Sequence, residues 1–153
     1  MERFAILLGI FEKQWKLIDK LYREIIAIDL SSYEKKYVFA LKTQQFFTAL
    51  EDLFKRIAKT FENQIDDFSS YHKELLVRLN TDIPNIRPAA ISTKSFLLLD
   101  RVRAFRHFIR HAYDCELEEQ ELKAIQSRLQ QDYHYVEKDL NRFKEFIQEL
   151  SSK

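Results

Sequence analysis

FAILLGIF, residues 4–11, poses a choice between an address and a structural helix. Its length suits the core of a signal peptide, but Glu2 precedes it, and the pattern of Phe4, Leu7, Leu8 and Phe11 continues through Trp15, Ile18, Leu21, Tyr22, Ile25 and Ile26. Steps of three and four residues put these side chains on one face of an α-helix. The segment therefore reads as an amphipathic helix from about Glu2 to Asp29, whose stripe other helices must cover. No apolar run in the chain approaches the roughly 20 residues needed to span a bilayer, so no membrane role is expected.

Composition extends that reading. A chain of 153 residues fits one domain, 1–153, and a domain of this size buries roughly 70% of the surface its unfolded chain exposes. With 46% hydrophobic and 32% charged residues but only one Gly and two Pro, long helices with few tight turns are expected, an all-α fold. Thirteen Phe, seven Tyr and one Trp supply bulky core units and argue against disorder. Cys115 is the only cysteine, so no intrachain disulfide forms, and the expected compartment is the cytoplasm.

Four further helices follow along the chain. Ser31 with Glu34 three residues on forms a capping box for a second helix, which runs through FALKTQQFFTALEDLFKRIAKTF to about Phe61. After the polar ENQIDDFSS comes a short helix near Tyr71 to Leu79, then TDIPNIRPAAI, whose Pro84 and Pro88 mark a non-helical connector. Ser92 can cap a fourth helix reaching about Tyr113, and Asp114 a last one reaching about Leu150, with Glu116, Glu118 and Glu119 complementing its dipole. The expected architecture is an antiparallel bundle of four long helices plus one short helix, without internal repeats.

The net charge is +1, so the molecule as a whole does not attract nucleic acid, and any anion site must be local. Residues 92–113 hold Lys94, Arg101, Arg103, Arg106 and Arg110 against a single acid, Asp100. On a helix, Arg103, Arg106, Arg110 and Tyr113 fall along one stripe and Arg103, His107 and His111 along its neighbour, while Phe96, Leu99, Val102, Phe105 and Ile109 face inward. Arginine offers a permanently charged fork that matches phosphate oxygens, and histidine moves a proton near neutral pH. Together they suit RNA cleavage: a base takes the 2′-hydroxyl proton, an acid protonates the leaving oxygen, and cations absorb developing charge. That scheme requires no metal or cofactor. Arg106 and His111 point roughly 140° apart on a regular helix, so either the helix distorts near its end or a second copy completes the site.

The run Arg106-His-Phe-Ile-Arg-His111-Ala-Tyr113 resembles the signature of HEPN-domain ribonucleases: an arginine, a polar residue, three others, a histidine, one more and a tyrosine. The form ending in tyrosine resembles the HepT-like toxins of bacterial and archaeal MNT–HEPN toxin–antitoxin pairs. The resemblance implies a metal-independent endoribonuclease toxin, acting on RNA as a homodimer whose two motifs face each other. By it, Arg106 stabilises the phosphate and His111 is the general acid or base. Tyr113 matches the position to which the cognate MNT-family nucleotidyltransferase antitoxin adds AMP. Contact of Arg103, His107 and Arg110 with substrate is read from charge and facing alone.

The blander readings stand beside these. His111 suits a surface or capping position near a helix end, Arg103 and Arg110 a solvated face, and Tyr113 simple packing. His107 and His111 are four apart, as metal ligands can be, but no third ligand accompanies them. Glu51 and Asp52 could orient the site from the second helix, yet exposed helix charges are commonplace, and Tyr133, His134 and Tyr135 read as interhelical contacts, so all five stay outside the catalytic set. The alternative function is a non-catalytic helical module that holds a nucleotide or a protein partner.

Overall fold

A computed structural model describes residues 2–63, 72–111 and 116–153. These form α1 (Glu2–Ile26), α2 (Tyr33–Glu62), α3 (His72–Leu79), α4 (Thr93–His111) and α5 (Glu119–Ser151), the all-α arrangement expected. Helix α1 packs on α2 and α5, α4 packs on α5 and α2, and α3 fills the angle between α2 and α4. Neighbouring long helices run antiparallel. Phe4 meets Phe61 while Lys42 binds Glu24, Tyr22 stacks on Tyr133 while Glu12 meets Lys144, and Ser92 binds Asp139 while Lys94 lies over Tyr135.

The apolar stripe of α1 is covered as its spacing requires: Leu7, Phe11, Ile18, Leu21 and Ile25 are buried, with Phe4, Leu8, Trp15 and Tyr22 packed at their margin. Phenylalanine dominates the centre. Phe11, Phe39, Phe46, Phe47, Phe54, Phe105 and Phe143 are all fully buried, and each contributes roughly 1.5–3 kcal/mol of apolar burial. On α4, Leu98, Leu99, Val102 and Phe105 face this core while Phe96 and Ile109 pack only partly against it.

Several boundaries differ from the sequence reading. Helix α1 ends at Ile26, before Asp29, because the Asp29 carboxylate instead accepts from both the amide and the hydroxyl of Ser31. That contact commits Ser31, so the cap of α2 is Ser32, whose hydroxyl accepts from the Lys35 amide. Helix α5 begins at Glu119, with Glu118 at its cap; the expected cap Asp114 lies outside the described residues, as do Tyr71 and Cys115. Ser92 does cap α4, accepting from the Ser95 amide. Asp139 of α5 reinforces it, accepting from the Ser92 amide and hydroxyl at 2.7 Å each and from the Ser95 hydroxyl at 2.5 Å.

The connector between α3 and α4 is non-helical and turns tightly, with Ile83 bridged to Arg87 and Asn85 in the left-handed region at φ 66°. Its anchor is Arg87, whose side chain is wholly buried. The guanidinium donates to Glu62 and to the carbonyls of Arg78, Thr81 and Pro88. No helix among the described residues is long and apolar enough to cross a membrane.

Candidate active site

The basic helix carries its motif where α4 leaves the core. Val102 and Phe105 bury one face, and Arg106, next along that face, follows them inward to 2% exposure. This overturns the placement of Arg106 on a stripe apart from the inward-facing residues of the helix. Its Nη1 lies 2.8 Å from Glu51 Oε1 and donates to the Thr48 hydroxyl at 3.1 Å. The guanidinium carbon sits 4.5 Å above the Phe47 ring, a cation–π contact. Burial pushes the Arg106 guanidinium below its ordinary range; Glu51 opposes that shift, and Arg110 and Arg103 add to it. An arginine so placed remains charged at neutral pH.

Glu51 is therefore no exposed helix charge, whereas its neighbour Asp52 is exposed. The residue is 4% exposed and its carboxylate is divided between two partners: Oε1 faces Arg106 and Oε2 faces His72 Nδ1. His72 is the first residue of α3, and its Nδ1 also lies 3.1 Å from Arg106 Nη2. Neither Glu51 nor His72 belongs to the set drawn from sequence. Glu51 had a signal: it stands four residues after Phe47 and three before Phe54, within the apolar stripe, where a charge needs a buried partner. His72 had none, being separated from Arg106 by 34 positions.

His107 and His111 are exposed, with ring centroids 4.3 Å apart. His111 Nδ1 donates to the His107 carbonyl oxygen at 2.8 Å, which leaves Nε2 as the nitrogen open to exchange a proton. Arg103 Nε donates to Asp100 at 2.8 Å, and Arg110 is exposed at the helix end. One concavity of about 190 Å³ gathers His72, Arg103, Arg106, His107, Arg110 and His111. Every motif residue assigned from sequence meets there except Tyr113, which lies outside the described residues.

The divergence of Arg106 and His111 has a third resolution. Helix α4 stays α-helical through His111, yet both residues border the same depression, because His107 lies between them and the arginine chain is long. Convergence of the pair thus needs neither a distorted helix nor a second copy. Among the described residues no three His, Cys, Asp or Glu side chains group as metal ligands do. In the last helix Tyr133 is buried against Tyr22, as an interhelical contact should be, whereas His134 is exposed, its ring tilted against that of its neighbour Tyr135.

The arrangement can hold a phosphate among arginines and present imidazole to the oxygens attached to it. A family model described as HepT-like protein matches residues 38–147, more than two thirds of the chain and all of the described site. No curated protein and no solved structure matches the chain.

Proposed function

The chain belongs to the HepT-like family, and on that premise we propose that it is a metal-independent endoribonuclease, the toxin of a toxin–antitoxin module. The observation that carries this reading is the meeting of three arginines with His107 and His111 in one solvent-facing concavity. Arg103 and Arg110 receive the RNA phosphate at its mouth, Arg106 holds positive charge at its floor, and His111 exchanges a proton through Nε2. Incubation with total RNA in excess EDTA, followed by analysis of fragment ends, tests it. Fragments with 2′,3′-cyclic phosphate and 5′-hydroxyl ends, lost in His111→Ala, are expected; intact RNA refutes the reading.

The homodimer forms along α4. Leu97 and Phe108 are 51% and 37% exposed and share a helix face with Arg101, Ala104 and His111, a mixed strip beside the concavity that a second copy would cover. A monomeric mass at micromolar concentration, with full nuclease activity, refutes this part. Regulation rests on the family resemblance: a partner nucleotidyltransferase moves AMP from ATP to the Tyr113 hydroxyl, with pyrophosphate leaving. The adduct adds charge and bulk where RNA must lie. Intact-mass analysis after co-expression should show an AMP adduct on the natural chain and none on Tyr113→Phe.

One observation favours the second reading, a non-catalytic nucleotide- or partner-binding module. Arg106 is committed to Glu51 and Phe47, which suits a purely structural arginine. RNA binding without cleavage, unaffected by His111→Ala, decides for that module.

A further inference from the structure

His72 is a buried-edge imidazole to which nothing in the motif assigns a role. Its Nδ1 faces two partners with opposite demands: the Glu51 carboxylate, which only accepts, and the Arg106 guanidinium, which only donates. An unprotonated Nδ1 would set its lone pair against the carboxylate. A protonated Nδ1 satisfies Glu51, and Arg106 retains its own bonds to Glu51 and Thr48. The carboxylate therefore fixes the tautomer, leaving Nε2 with the lone pair.

His111 is wired in the same sense, with Nδ1–H tied back to the His107 carbonyl. The concavity thus has one imidazole from α3 and another from α4, each anchored through Nδ1, and Arg103, Arg106 and Arg110 line it with them. Transphosphorylation of RNA needs a base at the attacking oxygen and an acid at the leaving one. His111 fills only one of those posts, and His107 comes from the same helix, four residues earlier with its ring centroid 4.3 Å away.

We propose that His72 is the general base of the cleavage reaction and Glu51 the residue that positions it, with His111 as the general acid. The inference rests on the ribonuclease reading above. Nε2 of His72 takes the proton of the 2′-hydroxyl, and the freed oxygen forms a bond to phosphorus. The bond from phosphorus to O5′ breaks, and His111 Nε2–H donates its proton to that oxygen. A 2′,3′-cyclic phosphate and a 5′-hydroxyl result, and no co-reactant is consumed. Arg103, Arg106 and Arg110 offset the extra charge on the phosphoryl oxygens between those events.

The groups that face His72 are Glu51 from α2; Arg103, Arg106, Arg110, His107 and His111 from α4; and Lys73 beside it, itself paired with Asp100. With His72 acting deprotonated and His111 protonated, kcat/KM against pH is a bell whose acidic limb belongs to His72.

The experiment compares His72→Gln and His111→Ala on a diribonucleotide and on uridine 3′-(4-nitrophenyl phosphate), whose leaving group departs without protonation. Both variants should lose about 10²- to 10⁴-fold on the diribonucleotide. On the aryl ester His111→Ala should recover to within about tenfold of the natural protein, while His72→Gln keeps its deficit and lacks the acidic limb. A His72→Gln variant as active as the natural protein, or rescued on the aryl ester, overturns the assignment while the ribonuclease reading stands. A natural protein that cleaves neither substrate overturns both. Should His72→Gln unfold, the natural protein decides by long-range proton–nitrogen NMR. Neutral His72 should carry its proton on Nδ1, and a proton on Nε2 refutes the inference irrespective of activity.

Discussion

Arg106 of α4 and Glu51 of α2 form an ion pair at 2.8 Å with side chains only 3% and 5% exposed, so the motif arginine is also a strut between two helices. Removing one partner of a buried pair strands the other charge, at a cost of about 3–5 kcal/mol. Arg106→Ala should therefore lower the melting temperature by about 6–20 °C, given roughly 2–4 °C per kcal/mol at this size. The double variant Glu51→Leu/Arg106→Met should recover most of that loss and stay without nuclease activity. Thermal melts followed by circular dichroism, alongside RNA cleavage, check both; an Arg106→Ala protein that melts like the natural one refutes the strut.

His111→Ala is expected to behave differently, because His111 is exposed and bonded only to its own helix. Helical content and melting should stay within the error of the natural protein while RNA cleavage falls about 10²- to 10⁴-fold. A comparable fall in melting temperature would show that the residue has a packing role.

Gly9 is the only glycine and lies in the middle of α1, where an added Cβ meets nothing within 4 Å. Gly9→Ala therefore brings no clash and removes backbone freedom from the unfolded chain. It should stabilise by about 0.5–1 kcal/mol, read as a rise of about 2–4 °C per kcal/mol in a thermal melt. A fall would mean that this face of α1 is covered by something a methyl group disturbs.

Glu137 of α5 borders a cavity of about 390 Å³ shared with Asp19, Lys16 and Lys144. Its carboxyl titrates above the usual range, raised first by burial and then by Asp19, with His134 pulling the other way. A raised folded value means the folded protein binds this proton more readily than the unfolded chain. Charged Glu137 is thus a net cost at neutral pH, and that cost fades as pH falls through the folded value towards the unfolded one. Glu137→Gln should melt higher than the natural protein at pH 7, with the difference vanishing near about pH 4. A difference independent of pH would refute the titration.

The periodic features were legible from sequence because they repeat: the α1 stripe needs no knowledge of its partners to announce a buried face. The motif residues on α4 were legible because they are close in sequence and share one helix. Glu51 and His72 belong to the same concavity but reach it from α2 and α3, and only the packing of three helices brings them to Arg106. The misplaced cap at Ser31 has the same origin at short range. Asp29 competes for that side chain, and a capping box read from spacing takes no account of a competitor just upstream.

The buried Arg87 holds more than its own loop. Its guanidinium makes five hydrogen bonds, two to Glu62 at the end of α2 and three to carbonyls at Arg78, Thr81 and Pro88. Bonds to a charged group contribute roughly 1.5–3 kcal/mol each. Swinging α3 and the connector away from the end of α2 would have to break several of them at once, so the connector acts as a weld and not as a hinge. The consequence is preorganisation. The placement of His72 against Glu51 is set when the chain folds, and the orientational entropy of that pair is lost then, before any phosphodiester arrives.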